Sequence, residues 1–213
     1  MIPFYRLMLI SQKNNIPTPK YLDFIKKCAD GGITSLQLRE KLLSQEELLD
    51  LGEQLLKILT PYHIPLVIND CSTIAQQLTT PYIHIGQKDD SIQKVLTKFP
   101  KGHIGVSIES LENLHSANKE NNLSYVTASA VFPSQNKSNL STIWGLNGLK
   151  LLSSISKHPI TAIGRITLQN TTSIIQHGAH GIALIGAIHD AKDPYQTTKE
   201  FRTLLDDLLQ EQI

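Results

Sequence analysis

Charged side chains of both signs follow three consecutive apolar runs in the first half of the sequence. Arg39 and Lys41 come after one run, and Asp70 and Asp89 come after the next two. Carboxylate oxygens suit Mg²⁺, which usually takes only one or two protein carboxylates and keeps several waters. Cations beside a pyrophosphate would stabilise the negative charge that develops as it departs. These residue types therefore predict a pocket for a Mg²⁺-bound pyrophosphate.

Glycines end the last two apolar runs of the sequence. The run at 159–163 ends on Gly164 and Arg165. The final run ends on Gly186. In a βα barrel, such turns after the last two strands commonly bind phosphate through exposed backbone N–H groups. They predict a phosphate site in the same pocket, and a plain turn with a solvated arginine is the alternative for residues 164–165.

Short runs rich in Ile, Leu and Val supply the strands that must position these residues, and helical patterns lie between them. The predicted strands are 6–10, 34–38, 64–68, 81–85, 103–107, 123–132, 159–163 and 181–185. Strands that alternate with helices favour parallel βα units, and eight strands close a TIM barrel. An open doubly wound sheet is the rival, weakened because no G-x-G-x-x-G follows the first run. We predict an α/β fold, a single-domain TIM (βα)8 barrel over residues 1–213.

Capping signals mark where several of the helices begin. Ser44 and Glu47 are spaced as a capping box before an apolar stripe. Asp193 precedes a proline and is predicted to cap the last helix. Asp90 is interpreted as an N-cap rather than a ligand. Ser107 has two readings of equal weight, a helix cap or a site residue.

The composition is that of an ordinary globular protein, with 40% hydrophobic and 18% charged residues. The net charge is +1, from 20 Lys+Arg against 19 Asp+Glu, which gives no electrostatic case for nucleic acid or an anionic membrane. The 2 cysteines do not imply a disulfide framework. No apolar run approaches the ~18 residues of a membrane span. We expect a cytoplasmic protein with small-molecule substrates and a possible homo-oligomer.

A series of motifs resembles, in order and spacing, those of the thiamine-phosphate synthase family, which includes a related thiazole tautomerase. The motifs are LQLREK, VINDC, HIGQKDD, IGVSIES, VFPSQNK, AIGRI and GIALIGAI. The resemblance implies a TIM barrel that requires Mg²⁺ and joins a pyrimidine pyrophosphate to a thiazole phosphate. Pyrophosphate departs, a stabilised pyrimidine carbocation remains, and the thiazole ring nitrogen captures it to give thiamine phosphate.

The same resemblance implies roles for individual residues. Those that match binders of the pyrimidine pyrophosphate are Gln37, Arg39, Lys41, Asn69, Ser107 and Lys137. Among these, the expected catalytic residues are Arg39, Lys41, Lys137 and Ser107. The matches to the Mg²⁺ ligands are Asp70 and Asp89. The remaining expected binding positions are Leu38, Glu40, Ser134, Gln135, Asn136, Gly164, Arg165, Ile185 and Gly186.

This chain departs from the family pattern on the thiazole-phosphate side. Arg165 replaces a glycine, Asn136 a threonine, and Gly186 a serine. Arg165 would carry strain if its φ is positive, or would add a guanidinium to the phosphate. Glu109 stands where many relatives have histidine, which argues against tautomerase activity.

Three functions stay open at this point: the synthase, a thiazole tautomerase-like isomerase, and a non-catalytic phosphate-ligand-binding relative. The plain readings of the residues also stay open. Arg39 and Lys41 would, in isolation, be solvated loop charges. His84, on an apolar strand, is interpreted as a hydrogen-bonded core histidine rather than a catalyst.

Overall fold

Eight parallel strands close into a barrel in chain order, and the last strand pairs with the first. The structure, a computed structural model, describes residues 2–87, 89–133 and 142–210. The strands are β1 (Leu7–Ile10), β2 (Ser35–Leu38), β3 (Leu66–Asn69), β4 (Tyr82–Ile85), β5 (His103–Ile108), β6 (Leu123–Ser129), β7 (Ile160–Ile163) and β8 (Gly181–Leu184). The predicted TIM barrel is confirmed. Every predicted strand is present, although β6 leaves the barrel before the predicted end at 132.

Helices surround the barrel and cover its outer face. They are α1 (Thr18–Gly31), α2 (Gln45–Leu59), a 3₁₀ turn (Thr60–Tyr62), α3 (Ser72–Gln77), α4 (Ile92–Lys98), α5 (Leu111–Ala117), α6 (Gly145–Ile155), α7 (Leu168–Gln176), α8 (Gly186–His189) and α9 (Pro194–Gln210). The large apolar core lies between these helices and the strands. None of the described helices is long and apolar enough to cross a bilayer.

Two of the predicted helix caps are confirmed. The Glu47 N–H donates to Ser44 Oγ at 3.2 Å, and the Ser44 N–H donates to the Glu47 carboxylate at 2.8 Å, which completes the capping box. At the start of α9, Asp193 Oδ1 accepts a hydrogen bond of 3.0 Å from the backbone of Gln196. Each cap satisfies a backbone N–H that has no partner inside its helix.

The predicted N-cap at Asp90 is wrong, because α4 begins one residue later. Ser91 is the cap, and its Oγ accepts from the backbone N–H of Lys94 at 3.3 Å. The Asp90 carboxylate instead contacts the Lys94 ammonium at 2.5 Å. The helix-cap reading of Ser107 also fails, since Ser110 caps α5.

A small second core fills the amino-terminal half of the barrel interior. Tyr125 on β6 is its largest fully buried side chain, and Phe4 and Tyr5 pack against its ring at centroid distances of 5.6 and 5.8 Å. Gly105 on β5 makes room for that ring, since a Cβ at this position would lie 2.1 Å from Tyr125 Cζ. This plug closes one end of the barrel and leaves the carboxyl end open.

We expect Gly105→Ala to lower the free energy of unfolding by about 1–3 kcal/mol, as overpacking of a filled core does. Urea denaturation measures the change. The double variant Gly105→Ala/Tyr125→Leu should lose less than the sum of its single variants, because the ring that the new methyl group meets has been removed. If the two losses of unfolding free energy simply added, the Tyr125 ring would not be the reason that residue 105 must be glycine.

Candidate active site

The carboxyl ends of the strands open onto a cavity of about 530 Å³. Most of the predicted binding residues that the structure describes line it. They are Gln37, Arg39, Asn69, Ser107, Gly164, Arg165, Ile185 and Gly186. The predicted Ser134, Gln135, Asn136 and Lys137 lie outside the described residues, so their roles stay predictions.

Alternation along β2 decides which of its residues reach the cavity. Gln37 and Arg39 face inward and line the cavity, whereas Leu38 is buried in the outer core. The carboxylate of Glu40 accepts a hydrogen bond of 2.8 Å from the backbone N–H of Lys13. Lys41 is exposed at the mouth. The predicted binding motif after β2 therefore combines two cavity residues with Glu40, which holds the chain at Lys13.

The structure brings the two predicted metal ligands together. Asp70 follows β3 in a left-handed conformation, with φ of 64°. The Gly86 N–H after β4 donates to Asp89 Oδ2 at 2.7 Å. A Cβ on Gly86 would lie 2.8 Å from Asp89 Oδ2 and 4.0 Å from Asp70 Oδ1. The absence of a side chain at residue 86 therefore lets both carboxylates occupy one small space.

The electrostatics of this pair show how closely the acids lie. Burial, followed by the hydrogen bond and the negative charge of Asp89, raises the pKa of Asp70 to about 7 against the opposing effect of Arg39 and Lys41. Two carboxylates that resist ionising together fit a divalent cation, which removes their repulsion. Within the described ranges, no group of three or more His, Cys, Asp or Glu side chains could hold a metal. The pair would therefore need oxygens from water or substrate to complete a Mg²⁺ shell, as Mg²⁺ sites commonly do.

His84 is buried and hydrogen-bonded, as predicted, but it also lines the cavity, which sequence reasoning missed. Its Nε2 lies 2.9 Å from Ser107 Oγ and its Nδ1 lies 2.9 Å from the Tyr125 hydroxyl. Thr127 and Ser129 were missed as well. Their signal is the placement of polar residues at alternate positions of β6, which puts both on the inner face.

Two of the three departures from the family pattern, Arg165 and Gly186, line the cavity, and the third, Asn136, lies outside the described residues. Gly164 has φ of 113°, and a Cβ there would lie 2.6 Å from that of Ala130, so glycine is required. Arg165 has φ of 46°, a left-handed conformation that costs a residue with a Cβ about 1–3 kcal/mol. Its exposed side chain lines the cavity.

Gly186 makes room for a neighbouring carboxylate that sequence reasoning also missed. A Cβ on residue 186 would lie 2.9 Å from Asp190 Oδ2, and Asp190 lines the same end of the cavity. A serine at 186 would require Asp190 to move. Across residues 2–87, 89–133 and 142–210, neither Arg165 nor Asp190 forms a salt bridge.

Comparison with known proteins decides the family. The sequence profile of the family described as thiamine monophosphate synthase matches residues 7–188. The chain belongs to this family. Thiamine-phosphate synthase of Chlamydia caviae is 39% identical over 204 residues, which cover 95% of this chain and 96% of the relative. That of Limosilactobacillus reuteri is 35% identical over 191 residues, covering 87% and 88%. The predicted assignment to a family of transferases is confirmed.

Solved structures agree with the fold and the family. The thiamine phosphate pyrophosphorylase from Pyrococcus furiosus superimposes with a TM-score of 0.87 at 27% identity, over 97% of this chain and 98% of that one. A 3-hexulose-6-phosphate synthase superimposes with a TM-score of 0.69 at 17% identity, over 93% and 99%, and shows the barrel fold alone.

The raised pKa of Asp70 predicts a pH-dependent stability in metal-free protein. The pKa is about 7 in the folded state against 3.8 for an unperturbed aspartate, so the bound proton stabilises the fold fully below about pH 3.8. That stabilisation is lost as the pH rises through 7. We expect the free energy of unfolding in EDTA to fall between pH 5.5 and 8 by on the order of 1–2 kcal/mol, because water partly screens the pair.

Asp70→Asn should remove this part of the pH dependence, since the amide does not ionise. Urea denaturation at the two pH values measures it. Asp207→Asn, which changes an exposed carboxylate of α9, is the matched control and should retain the wild-type dependence. Identical pH dependence in both variants would mean that Asp70 ionises as an ordinary surface carboxylate.

Proposed function

We propose that this chain condenses 4-amino-2-methyl-5-(diphosphooxymethyl)pyrimidine with 4-methyl-5-(2-phosphooxyethyl)thiazole, giving thiamine phosphate and pyrophosphate, with Mg²⁺ as its cofactor. The observation that carries the proposal is the paired Asp70 and Asp89, with Arg39 and Lys41 near enough to oppose their effect on the Asp70 pKa. Carboxylates for a divalent cation and cations for phosphate oxygens are the two requirements of a metal-bound pyrophosphate.

Asp70 and Asp89 would hold Mg²⁺ at the mouth of the cavity. Bound there, the ion would supply positive charge to the pyrophosphate oxygens. Arg39 would contribute a planar guanidinium suited to two phosphate oxygens, and Lys41 a compact charge on a flexible stem. Both are supported as binders of the leaving group by their position after β2 and by their electrostatic effect on Asp70.

The deeper part of the cavity would hold the pyrimidine ring. Met8 and Ile10 of β1 provide apolar surface there, and Gln37 and Ser107 provide an amide and a hydroxyl for the polar edge of the ring. The methylene carbon–oxygen bond breaks and its electron pair leaves with pyrophosphate. The lone pair of the thiazole nitrogen then forms the new carbon–nitrogen bond to the methylene carbon.

The thiazole phosphate would lie at the end formed by Gly164, Arg165 and Gly186. The Arg165 guanidinium, which has no salt-bridge partner among the described residues, supplies a cation for this phosphate. The contact would offset the backbone strain at φ of 46°. On this reasoning, the change from glycine to arginine adds a charged contact to the phosphate site.

The acidic pair favours the synthase over the tautomerase, because an isomerisation without metal gives no reason to hold two carboxylates in contact. Turnover separates the synthase from a non-catalytic binder of phosphorylated ligands. The purified protein is supplied with both substrates and Mg²⁺, and thiamine phosphate is measured after oxidation to the fluorescent thiochrome. Product that disappears with EDTA supports the proposal, and no product with any divalent ion refutes it.

Asp89→Ala should lower kcat/KM by at least about 100-fold while the barrel stays folded, since loss of a metal ligand removes charge from the leaving group. Asp90→Ala is the matched control. It removes the adjacent carboxylate, which pairs with Lys94 at the surface, and should change kcat/KM less than about threefold. If the two variants lose activity equally, Asp89 is not a ligand.

Arg165→Gly should have opposite effects on binding and on stability. Loss of a charged hydrogen bond to phosphate should raise the KM for thiazole phosphate by about 10-fold or more and leave the KM for the pyrimidine substrate nearly unchanged. Relief of the positive φ should raise the free energy of unfolding by about 1 kcal/mol. Steady-state kinetics and urea denaturation measure the two effects. Unchanged KM values for both substrates would mean that Arg165 points to solvent.

A further inference from the structure

A line of hydrogen-bonded side chains crosses the barrel interior at the floor of the cavity. It runs from Tyr125 on β6 through His84 on β4 to Ser107 on β5. The distances are 2.9 Å from the Tyr125 hydroxyl to His84 Nδ1 and 2.9 Å from His84 Nε2 to Ser107 Oγ. Tyr125 is fully buried, and His84 is 5% exposed. Of these three residues, His84 and Ser107 line the cavity.

Tyr125, at the buried end of the line, determines which atom donates in each hydrogen bond. Burial raises the pKa of Tyr125 far above its ordinary value, so the hydroxyl keeps its proton and must donate it. The Gln37 side chain lowers that pKa, as an amide N–H facing the phenol oxygen does. Gln37 Nε2 also donates to Met8 Sδ at 3.2 Å. Among the described residues, the Gln37 amide is bonded to Met8, and no hydrogen bond joins its oxygen to the Tyr125 hydroxyl.

The acceptor for the Tyr125 proton is then His84 Nδ1. Met8 Sδ, the other acceptor near the hydroxyl, lies at 4.0 Å and is weak. An imidazole that accepts at Nδ1 carries its proton on Nε2, because one ring nitrogen of neutral histidine donates when the other accepts. His84 Nε2 consequently donates to Ser107 Oγ. The Ser107 hydroxyl proton is left to point away from His84, into the cavity.

Packing holds the line in place. The rings of His84 and Tyr125 stack at 5.6 Å with an interplanar angle of 27°. The phenol ring lies over Gly105, and Phe4 closes the space beneath it. Aromatic contacts on both sides hold the Tyr125 ring in place, so its hydroxyl cannot move to another partner. The arrangement therefore resembles a rigid support more than a mobile proton path.

We propose that Tyr125 and His84 are positioning residues that make Ser107 a hydrogen-bond donor toward an acceptor atom of the first substrate. This inference rests on the proposed function, because it takes the pyrimidine pyrophosphate to be what Ser107 meets. The acceptor is a ring nitrogen or a phosphate oxygen, since both present lone pairs to a hydroxyl. An analogue that offers a donor at this place should be rejected, because two protons would face each other.

The protonation site of His84 is the first test, and it requires no turnover. Nitrogen-15 NMR of the free protein, with the His84 signals assigned by their loss in His84→Gln, should show a proton on Nε2 and none on Nδ1. In Tyr125→Phe the proton should shift at least partly to Nδ1, because the donor that fixed the tautomer is gone. Tyr82→Phe is the control, since no described residue hydrogen-bonds the Tyr82 hydroxyl, and the tautomer should not change. An unprotonated His84 Nε2 in the wild-type protein overturns the proposal.

A double-mutant cycle then separates positioning from general stability. Tyr125→Phe should lower kcat/KM for the pyrimidine substrate by about 10- to 50-fold when Ser107 is present. In the Ser107→Ala background it should lower kcat/KM less than threefold, because no hydroxyl remains to orient. An equal loss in both backgrounds overturns the proposal. Absence of turnover in the wild type would refute the proposed function instead, and the NMR result would still test the hydrogen-bond direction.

If Tyr125→Phe does not fold, two replacements of His84 provide a separate test of the proposal. His84→Gln keeps an N–H donor at the end of the side chain, whereas His84→Met has similar length and no donor. We expect His84→Gln to retain at least 10-fold more kcat/KM than His84→Met, with comparable melting temperatures. Equal activity of the two variants overturns the donor assignment.

Discussion

The pairing of β1 with β8 is the constraint on which the site depends, because it turns eight parallel strands into a closed ring. Leu7 lies opposite Ile182 and Leu9 opposite Leu184 in this pairing. Parallel strands end on the same side, so closure brings residues that are far apart in sequence to one mouth. Arg39 and Gly186 come to line the same cavity for this reason.

The barrel interior is divided into two halves of different character. Phe4, Tyr5 and Tyr125 fill the amino-terminal half, and the carboxyl half contains the cavity. A buried hydroxyl or imidazole needs a partner, since an unpaired polar group in such a place costs about 1–3 kcal/mol. The hydrogen bonds of Tyr125 and His84 meet that need and, at the same time, lead toward the cavity.

Backbone strain is found at two positions of the site. Asp70 and Arg165 both have positive φ, which a residue with a Cβ adopts at a cost. At Asp70 the conformation places a carboxylate beside Asp89, and at Arg165 it follows the turn that Gly164 requires. In both cases the surrounding barrel fixes the backbone in a conformation that the residue alone would not favour.

The sequence by itself determined the architecture and the family. Apolar runs of strand length, helical stripes between them and the capping box at Ser44 were sufficient for the barrel, because each depends on neighbours within a few residues. The ordered motifs were sufficient for the family, and they pointed to Gln37 and Arg39 as residues of the cavity. Local reasoning was wrong at Asp90, where a shift of one residue gave the cap to Ser91.

Only the tertiary structure decided the contacts between strands. The hydrogen bonds that join β4, β5 and β6 through His84 cannot be found from spacing, since residues 84 and 125 are 41 positions apart. The contact of Asp190 with residue 186 is different, because the two positions are one helical turn apart at α8 and their spacing alone could have predicted it. Spacing along the chain predicts which residues share a strand or a helix. Closure of the barrel decides which side chains touch. Strands that are far apart in the sequence come within contact distance only when the barrel closes.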